Sequence, residues 1–326
     1  MIASFARALA LPRVLSLIAF VGWLLAPSTP ALAQTGTFED SVFISAHYTK
    51  TERLVPVRDG IKLFTAIYAP KDQSKPYPFL LIRTPYSCAP YGEDQYSSRL
   101  LQYIHLAREG YIIVFQDVRG RYMSEGDFVD IRPHNPKKTG NATDESSDTY
   151  DTVDWLLKNV PNNNGRVGIF GISYPGFYAS ASIPDAHPAV KAVSPQAPVT
   201  DWFIGDDFHH NGAFMMMDAF AFYYSFGQPR PKPTTESSPR FEFPTQDNYK
   251  FYLEMGALKN FTNKYMKGVG FWNDLMSHPN LDEFWKARNI RAHLKNVKPA
   301  VLTVGGLFDA EDCFGAWAIY QAIEKQ

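Results

Sequence analysis

Ser173 has neighbours that suggest a catalytic nucleophile. It lies in the segment Gly171-Ile-Ser-Tyr-Pro-Gly176, which directly follows a short apolar run at 166–170. A serine in a tight turn between a strand and a helix, with glycines that let the two backbones approach closely, is typical of a nucleophile elbow. Here the second glycine comes one residue later than in the G-x-S-x-G pattern. The alternative interpretation is a serine that only caps the following helix.

The turn also predicts stabilisation of negative charge. If a helix begins at Ser173, the helix dipole favours a developing anion at the serine. The backbone N–H of Tyr174 would then face the position where an oxyanion forms during acyl transfer. Ser173 and Tyr174 are therefore both candidate catalytic residues.

A candidate acid follows late in the sequence. In hydrolases with this elbow, the triad residues occur in the chain order nucleophile, acid, histidine. Asp309 comes shortly after the apolar run 300–304 and fits the position of the acid, and an ordinary loop aspartate is the less favoured alternative. Glu311 and Asp312 follow at once, and acidic residues in the first turn of a helix are also favourable to its dipole.

The histidines do not complete this order. None of the eight histidines follows Asp309. The pair His209-His210 lies close to Asp206 and Asp207, which suggests a metal site, but no third ligand at a suitable spacing is evident. We therefore predict neither a metal nor a cofactor.

The elements that must position these residues alternate along the chain. Short apolar runs predict strands, and amphipathic stretches between them predict helices. This order implies an α/β fold with a mostly parallel sheet covered on both faces. The predicted divisions are a core at 34–202, an inserted helical cap at 203–295, which is rich in aromatic residues, and a return to the core at 296–326.

Residues 1–33 have the pattern of a secretory signal peptide, with early arginines, an apolar run and a small-x-small cleavage site. A membrane anchor is the alternative, but the apolar run is short for a span. We expect a secreted or periplasmic protein without a further membrane segment. A net charge of −1 argues against a nucleic-acid partner. Cys88 and Cys313 could form a disulfide in such a compartment, although two separate thiols are the simpler expectation.

Four motifs together resemble a known family. They are RTPYS, QDVRGRYMSEGDF, GRVGIFGISYPGFYAS and GGLFDAED, in this order. They are similar to the α-amino-acid ester hydrolases of the CocE/NonD group, which also includes cocaine esterase, glutaryl-cephalosporin acylases and X-Pro dipeptidyl-peptidases. The resemblance implies an α/β-hydrolase fold, Ser173 as the nucleophile and Asp309 as the triad acid. It also implies that the Tyr86 hydroxyl completes the oxyanion hole with the Tyr174 N–H.

The resemblance further implies a substrate class. In α-amino-acid ester hydrolases, three carboxylates receive the α-ammonium group of the substrate, and Asp207, Glu311 and Asp312 match them. The expected partner is a small ester, amide or short peptide. An X-Pro dipeptidyl-peptidase, a general carboxylesterase and a non-catalytic binding protein are the alternatives. A homo-oligomer is compatible with all of these interpretations.

The resemblance also raises a question of completeness. The family has its histidine a few tens of residues after the acid, followed by a C-terminal jelly-roll domain. Neither falls within these 326 residues. We therefore expect a truncated chain with very low hydrolase activity, or one that pairs with a second chain supplying the histidine.

Overall fold

An antiparallel hairpin begins the central sheet of the structure, a computed structural model that describes residues 36–324 and 326. Strands β1 (Tyr48–Pro56) and β2 (Lys62–Pro70) pair along their full length. The turn between them contains Gly60 at a φ of 89°, a backbone conformation that glycine adopts without strain. The predicted signal peptide at 1–33 lies outside the described residues.

The sheet continues as a parallel array. Its order is β1-β2-β4-β3-β5-β6-β9. The β1–β2 and β2–β4 pairs are antiparallel and the other neighbouring pairs of this sheet are parallel, so β2 runs opposite to the other described strands of this sheet. The remaining strands of this sheet are β3 (Tyr77–Thr84), β4 (Ile112–Asp117), β5 (Asn163–Ile172), β6 (Val190–Gln196) and β9 (Ala300–Val301). Because a parallel strand is covered on both faces, it forms from a continuous apolar run. The predicted α/β-hydrolase architecture is confirmed.

Helices cover the sheet and follow its strands. In the first half of the chain they are α1 (Phe38–His47), α2 (Ile104–Arg108), α3 (Glu145–Asn159) and α4 (Tyr174–Ala181), with a 3₁₀ helix at Ser98–Tyr103. Helix α3 begins with a capping box, in which Asp144 and Ser147 each accept a hydrogen bond from the other's backbone N–H. Its inner face buries Val153 and Leu156 against the strands.

The chain between β6 and β9 is mainly helical. It contains a two-residue hairpin, β7 (His209–His210) with β8 (Ala213–Phe214), and then α5 (Met216–Phe226), α6 (Asn248–Met255), α7 (Leu258–Phe261), α8 (Gly270–Ser277) and α9 (Glu283–Ala287), with a π-helical turn at Thr262–Met266 and a 3₁₀ turn at Ile290–His293. Phe220, Phe261 and Trp272 are fully buried here, and each such aromatic ring contributes roughly 2–3 kcal/mol. The predicted cap boundaries at 203 and 295 stay a prediction.

The last helix, α10 (Cys313–Ile323), begins just after the loop that carries Asp309, Glu311 and Asp312. Strand β9 is shorter than the apolar run 300–304 suggested, but Val304 still forms a bridge to Gln196. Cys88 and Cys313 are both free. Within residues 36–324 and 326, no helix has the length and apolarity needed to cross a membrane.

Candidate active site

The turn at Ser173 has the strained geometry of a nucleophile elbow. Ser173 has φ 62° and ψ −126°, which for a residue other than glycine costs about 1–3 kcal/mol. A Cβ atom at Gly171 would come within 2.0 Å of the Pro175 carbonyl oxygen, and one at Gly176 within 2.7 Å of the Gln196 carbonyl oxygen. Both glycines are therefore required by close backbone approach, although the second is displaced by one position from the usual pattern.

Tyr174, the first residue of α4, is held firmly in place. Its hydroxyl donates to Oδ1 of Asp130 at 3.0 Å and accepts the Ile131 N–H at 3.0 Å. Its ring is buried and stacks on Tyr178 at a centroid distance of 5.5 Å. The first N–H groups of a helix have no intrahelical acceptor. The Tyr174 N–H is therefore fixed at the elbow and available to an external oxygen.

A cavity of about 650 Å³ opens beside the elbow. Ser173, Tyr86, Tyr174, Asp207 and Glu311 all line it. Aromatic side chains make up much of the remaining wall, together with several charged groups: Tyr122, Trp202, Phe208, Phe222, Phe226, Phe241, Phe243, Asp218, Arg121, Arg230 and Arg240. The structure thus gathers five of the seven sequence-predicted site residues around one space.

Asp312, which is buried, connects the serine to the carboxylates. The Ser173 Oγ donates a hydrogen bond to Oδ2 of Asp312 at 3.1 Å. Asp207 lies beside this pair, where its Oδ2 accepts the indole N–H of Trp202 at 2.6 Å and its own backbone N–H donates to the Glu311 carbonyl at 3.0 Å. The Oδ1 atom of Asp312 has no hydrogen-bond partner among the described residues.

Burial and mutual repulsion alter the acidity of this cluster. Burial raises the pKa of Asp312, and the neighbouring carboxylates of Asp207 and Asp206 raise it further. Burial also raises the pKa of Asp207, and the hydrogen bond from Trp202 only partly offsets it. The pKa of Glu311 is raised by burial and then by Asp218, although much of its side chain is exposed. Carboxylates packed in this way are stabilised when a cation joins them.

Asp309 has a different position. Its Oδ1 accepts the backbone N–H groups of Glu311 at 3.0 Å and Asp312 at 2.9 Å, which shapes the loop ahead of α10. It does not line the cavity, and among the described residues it contacts neither Ser173 nor a histidine. Its role as triad acid stays a prediction.

All eight histidines lie within the described residues, and none of them lines the cavity. His134 pairs with Asp144 at 3.1 Å, His278 with Asp282 at 2.6 Å, and Nδ1 of His209 lies 3.0 Å from the Trp202 carbonyl. No grouping of three histidine, cysteine, aspartate or glutamate side chains in residues 36–324 and 326 could hold a metal ion.

Tyr86 completes the polar side of the cavity. Its ring contacts Tyr174 at 6.2 Å and Phe226 at 5.6 Å between centroids. Although the residue is 40% exposed, desolvation by the surrounding protein raises the pKa of its hydroxyl, and Asp207 and Asp312 raise it further. The hydroxyl is therefore protonated at neutral pH and can donate a hydrogen bond into the cavity.

Two buried aspartates that the sequence analysis did not assign to the site also position it. Asp206 accepts hydrogen bonds from the Thr200 N–H, the Asp201 N–H and, through Oδ1, the Gly315 N–H. It therefore joins the loop after β6 to the start of α10. Asp130 accepts from Tyr174 and also from Tyr223 of α5 at 3.1 Å. The signal for Asp130 was a single charge among apolar neighbours in the run FVDI.

In the motif QDVRGRYMSEGDF, the nearby acidic residues Asp117 and Glu125 are the default ion-pair partners of Arg119 and Arg121, and this default is wrong. Arg119 instead forms ion pairs with Asp59 and Asp148, both at 2.7 Å. Arg121 donates to the Pro85 and Phe226 carbonyls at 3.0 and 2.9 Å. Asp117 is used elsewhere, because it accepts the Cys88 N–H and the Tyr91 hydroxyl.

A strained serine turn at the edge of an α/β-hydrolase sheet, beside a cavity lined by aromatic and charged side chains, is the arrangement typical of the serine hydrolase class. Residues 59–326 match the family model described as X-Pro dipeptidyl-peptidase (S15 family), and the chain belongs to this family. The family contains esterases and peptidases, and the resemblance to the CocE/NonD group is confirmed.

Individual relatives agree with this assignment. An aminopeptidase from the marine sediment archaeon Thaumarchaeota archaeon has 37% identity and a TM-score of 0.75, covering 85% of this chain and 46% of its own. An α-amino acid ester hydrolase has 34% identity and a TM-score of 0.76, covering 92% of this chain and 49% of its own. Cocaine esterase from Rhodococcus sp. (strain MB1 Bresler) is 25% identical over 269 residues, which are 78% of this chain and 43% of the relative. The chain thus spans less than half the length of each of these relatives.

Proposed function

We propose that this chain carries the nucleophile and the acyl-binding half of a hydrolase that acts on α-amino acyl esters or amides. Ser173 attacks the acyl carbon, the bond to the leaving group breaks, and water then releases the acyl group from the serine. The observation that carries the proposal is the hydrogen bond from Ser173 to Asp312 within a cluster of carboxyls. It places an acidic group directly beside the nucleophile.

The carboxyl cluster supports recognition of an α-ammonium group. Asp207 and Asp312 have raised pKa values because they are buried near each other and no cation lies within 4 Å of either among the described residues. An ammonium group bound here would lower the free energy of their ionised forms. Glu311, at the cavity wall, would add a third negative charge.

Two donors support an oxyanion hole. The Tyr174 N–H is fixed because its side chain is anchored to Asp130, and the Tyr86 hydroxyl stays protonated. The two rings contact each other, so both donors belong to one packed unit. Removing one donor of such a pair typically lowers the rate 10²–10³-fold.

The serine also needs a proton acceptor. Asp312 contacts the hydroxyl, but its raised pKa leaves it largely protonated and therefore a poor base at neutral pH. We propose that a histidine on polypeptide outside these 326 residues supplies the base, and that Asp309 orients it. The 326-residue chain alone would then acylate slowly, because loss of the histidine from a serine triad costs several orders of magnitude.

The contact between Ser173 and Asp312 favours a single amino acyl group over a dipeptidyl group. In an α-amino acyl substrate the ammonium nitrogen is bonded to the carbon next to the reacting carbonyl. In an X-Pro dipeptidyl substrate, a whole residue lies between the carbon that carries the ammonium group and the reacting carbonyl. Asp312 Oδ2 lies 3.1 Å from Oγ of Ser173, and this short distance supports the proposal of the shorter separation.

The test uses activated esters, which need little help from a base. We expect p-nitrophenyl L-phenylalaninate to acylate Ser173 at least tenfold faster than p-nitrophenyl 3-phenylpropionate, which lacks the ammonium group. Asp207→Asn should remove most of this preference, whereas Glu254→Gln, at an exposed site on α6, should retain it. Equal rates for the two esters in the unmodified chain would contradict ammonium recognition.

We also propose export of the protein, with cleavage after Ala33. The support is the order of charged, apolar and small residues in 1–33. N-terminal sequencing of the protein recovered from the periplasm or medium tests this proposal. A product that stays in the cytoplasm and begins at Met1 would contradict it.

A further inference from the structure

Helix α5 runs along the cavity, and side chains of opposite charge lie near its two ends: an acidic end at Asp218 and a basic end at Phe226. Asp218, which lines the cavity, lies in the first turn. Phe226 is the last residue, and its carbonyl accepts a hydrogen bond from Arg121 at 2.9 Å. The two positions are separated by about 12 Å along the helix axis, at about 1.5 Å per residue. Glu311 lies near Asp218, since Asp218 raises its pKa, so the acidic groups share one region of the cavity.

The basic end contains two guanidinium groups beside one aromatic ring. The Tyr122 ring lies 5.6 Å from the Arg121 guanidinium carbon and 4.3 Å from that of Arg230. Both arginines line the cavity. Arg230 donates to the Glu236 carbonyl at 2.9 Å, but its buried Nε has no partner in the described part of the chain.

Arg121 differs from the other buried arginines. Arg83 and Arg119 both lie within 4 Å of carboxylates, those of Glu145 and Asp148 among them. Arg121 is only 3% exposed, yet neither it nor Arg230 has a carboxylate within 4.0 Å in residues 36–324 and 326. Burial lowers the pKa of Arg121 and the neighbouring Arg230 lowers it further, and the carboxylate of Asp130, beyond 4 Å, offsets this only in part.

An unpaired guanidinium in a protein interior carries a desolvation penalty that an anion offsets. Guanidinium groups form paired hydrogen bonds with carboxylates, and the planar fork suits that geometry. The basic end of the cavity is therefore a site that favours a carboxylate. It lies beside the Pro85–Tyr86 segment, because Arg121 donates to the Pro85 carbonyl.

We propose that Arg121 and Arg230 bind a carboxylate carried by the leaving group, so that the preferred substrates bear both an α-ammonium and a carboxylate. This inference rests on the proposed function, since it assumes that the amino acyl end occupies the Asp207–Asp312 cluster. An extended peptide spans roughly 3.3–3.6 Å per residue, so a tripeptide with a free C-terminus has about the length that separates Asp218, near Glu311, from Phe226.

The test measures binding, so it does not depend on a catalytic base. Isothermal titration of the 326-residue chain carrying Ser173→Ala would compare Phe-Ala-Ala with its C-terminal amide, at low ionic strength. We expect the free acid to bind about tenfold more tightly, as a charge-assisted hydrogen bond allows. Arg230→Gln should bring the ratio of the two affinities, free acid over amide, close to one, and Arg230→Lys should retain part of this preference. Lys232→Gln removes the same charge from the same loop, outside the cavity wall, and should leave the ratio unchanged.

The outcomes separate this inference from the proposed function. Equal affinities for the acid and the amide, or a ratio that survives Arg230→Gln, would overturn the carboxylate site. N-acetylation of the peptide probes the other end of the cavity. If N-acetyl-Phe-Ala-Ala binds as tightly as the free peptide, ammonium recognition fails, while the ratio of acid to amide still reports on Arg230.

Discussion

The Oγ atom of Ser173 lies 3.1 Å from Oδ2 of Asp312, although 139 positions separate the two residues in the sequence. Ser173 is placed by the turn between β5 and α4, and Asp312 by the loop that Asp309 shapes before α10. The contact brings two loops at the same edge of the sheet together into one site. The Ser173 hydroxyl must therefore break its hydrogen bond to Asp312 before it can donate its proton to a base.

The first prediction concerns the reactivity of Ser173. The 326-residue chain should react with a fluorophosphonate probe slowly, at least a thousandfold below an intact serine triad, because no histidine lines the cavity. Mass spectrometry of the modified peptide should locate the adduct at Ser173, and Ser173→Ala should remove it. Ordinary esterase turnover by the unmodified chain, abolished by Ser173→Ala, would show that another group in this chain acts as the base.

The second prediction concerns the elbow glycine. Gly176→Ala should destabilise the fold by about 1–3 kcal/mol and slow acylation of Ser173, since its Cβ would meet the Gln196 carbonyl oxygen at 2.7 Å and Pro198 Cα at 2.9 Å. Gly268→Ala is the matched control, because nothing lies within 4 Å of its added Cβ. Urea unfolding measures the stability of both variants. Equal stability of the two would mean that the backbones do not approach as closely as the structure shows.

The third prediction concerns the pH dependence of stability. Burial raises the pKa of Asp130 to about 6, from an unfolded value near 3.8. A raised carboxyl pKa favours the folded state fully below the unfolded pKa, and this advantage is lost as the pH rises through the folded pKa. The free energy of unfolding should therefore fall by up to about 3 kcal/mol between roughly pH 4 and 6 through this group.

Asp130→Asn tests that dependence. The amide oxygen can still accept hydrogen bonds from Tyr174 and Tyr223, but it does not ionise. The variant should be more stable than the unmodified chain at about pH 8 and closer to it at about pH 4.5. Urea unfolding at both values measures the difference. An equal loss of stability at the two pH values would show that Asp130 is not held with a raised pKa.

The fourth prediction concerns the buried ion pairs of Arg83, near the end of β3. Arg83 is buried and donates to Gln116, Thr149 and Glu145. Arg83→Gln removes the buried cation that Glu145 and Asp148 share, although Arg132 and Arg119 still pair with them, so it should destabilise the fold by about 3 kcal/mol. The control is Arg53→Gln, which breaks an exposed pair with Glu93 and should cost under about 1 kcal/mol. A small effect at Arg83 in thermal unfolding would contradict the structural role.

Several features were predictable because they depend on neighbouring residues. The strands β3, β4 and β5 form from short apolar runs, and the elbow forms from glycines whose spacing permits close backbone approach. The fold class follows from the alternation of such runs with amphipathic helices. The position of Ser173 between β5 and α4 is likewise a local property.

The partners of the charged side chains were not local, and only the tertiary structure decided them. Asp117 and Glu125 are the acidic residues near Arg119 and Arg121 in the sequence. The sheet and α3 instead bring Asp148 to Arg119, and no carboxylate of the described residues lies within 4 Å of Arg121. Asp130 gave a weak signal, but its two tyrosine partners come from helices 44 and 93 positions away. The amino-acid sequence by itself determined the fold class, the elbow and the family, because apolar periodicity and glycine spacing act over a few residues. The polarity of the cavity depended on which distant loops the packed sheet brings together.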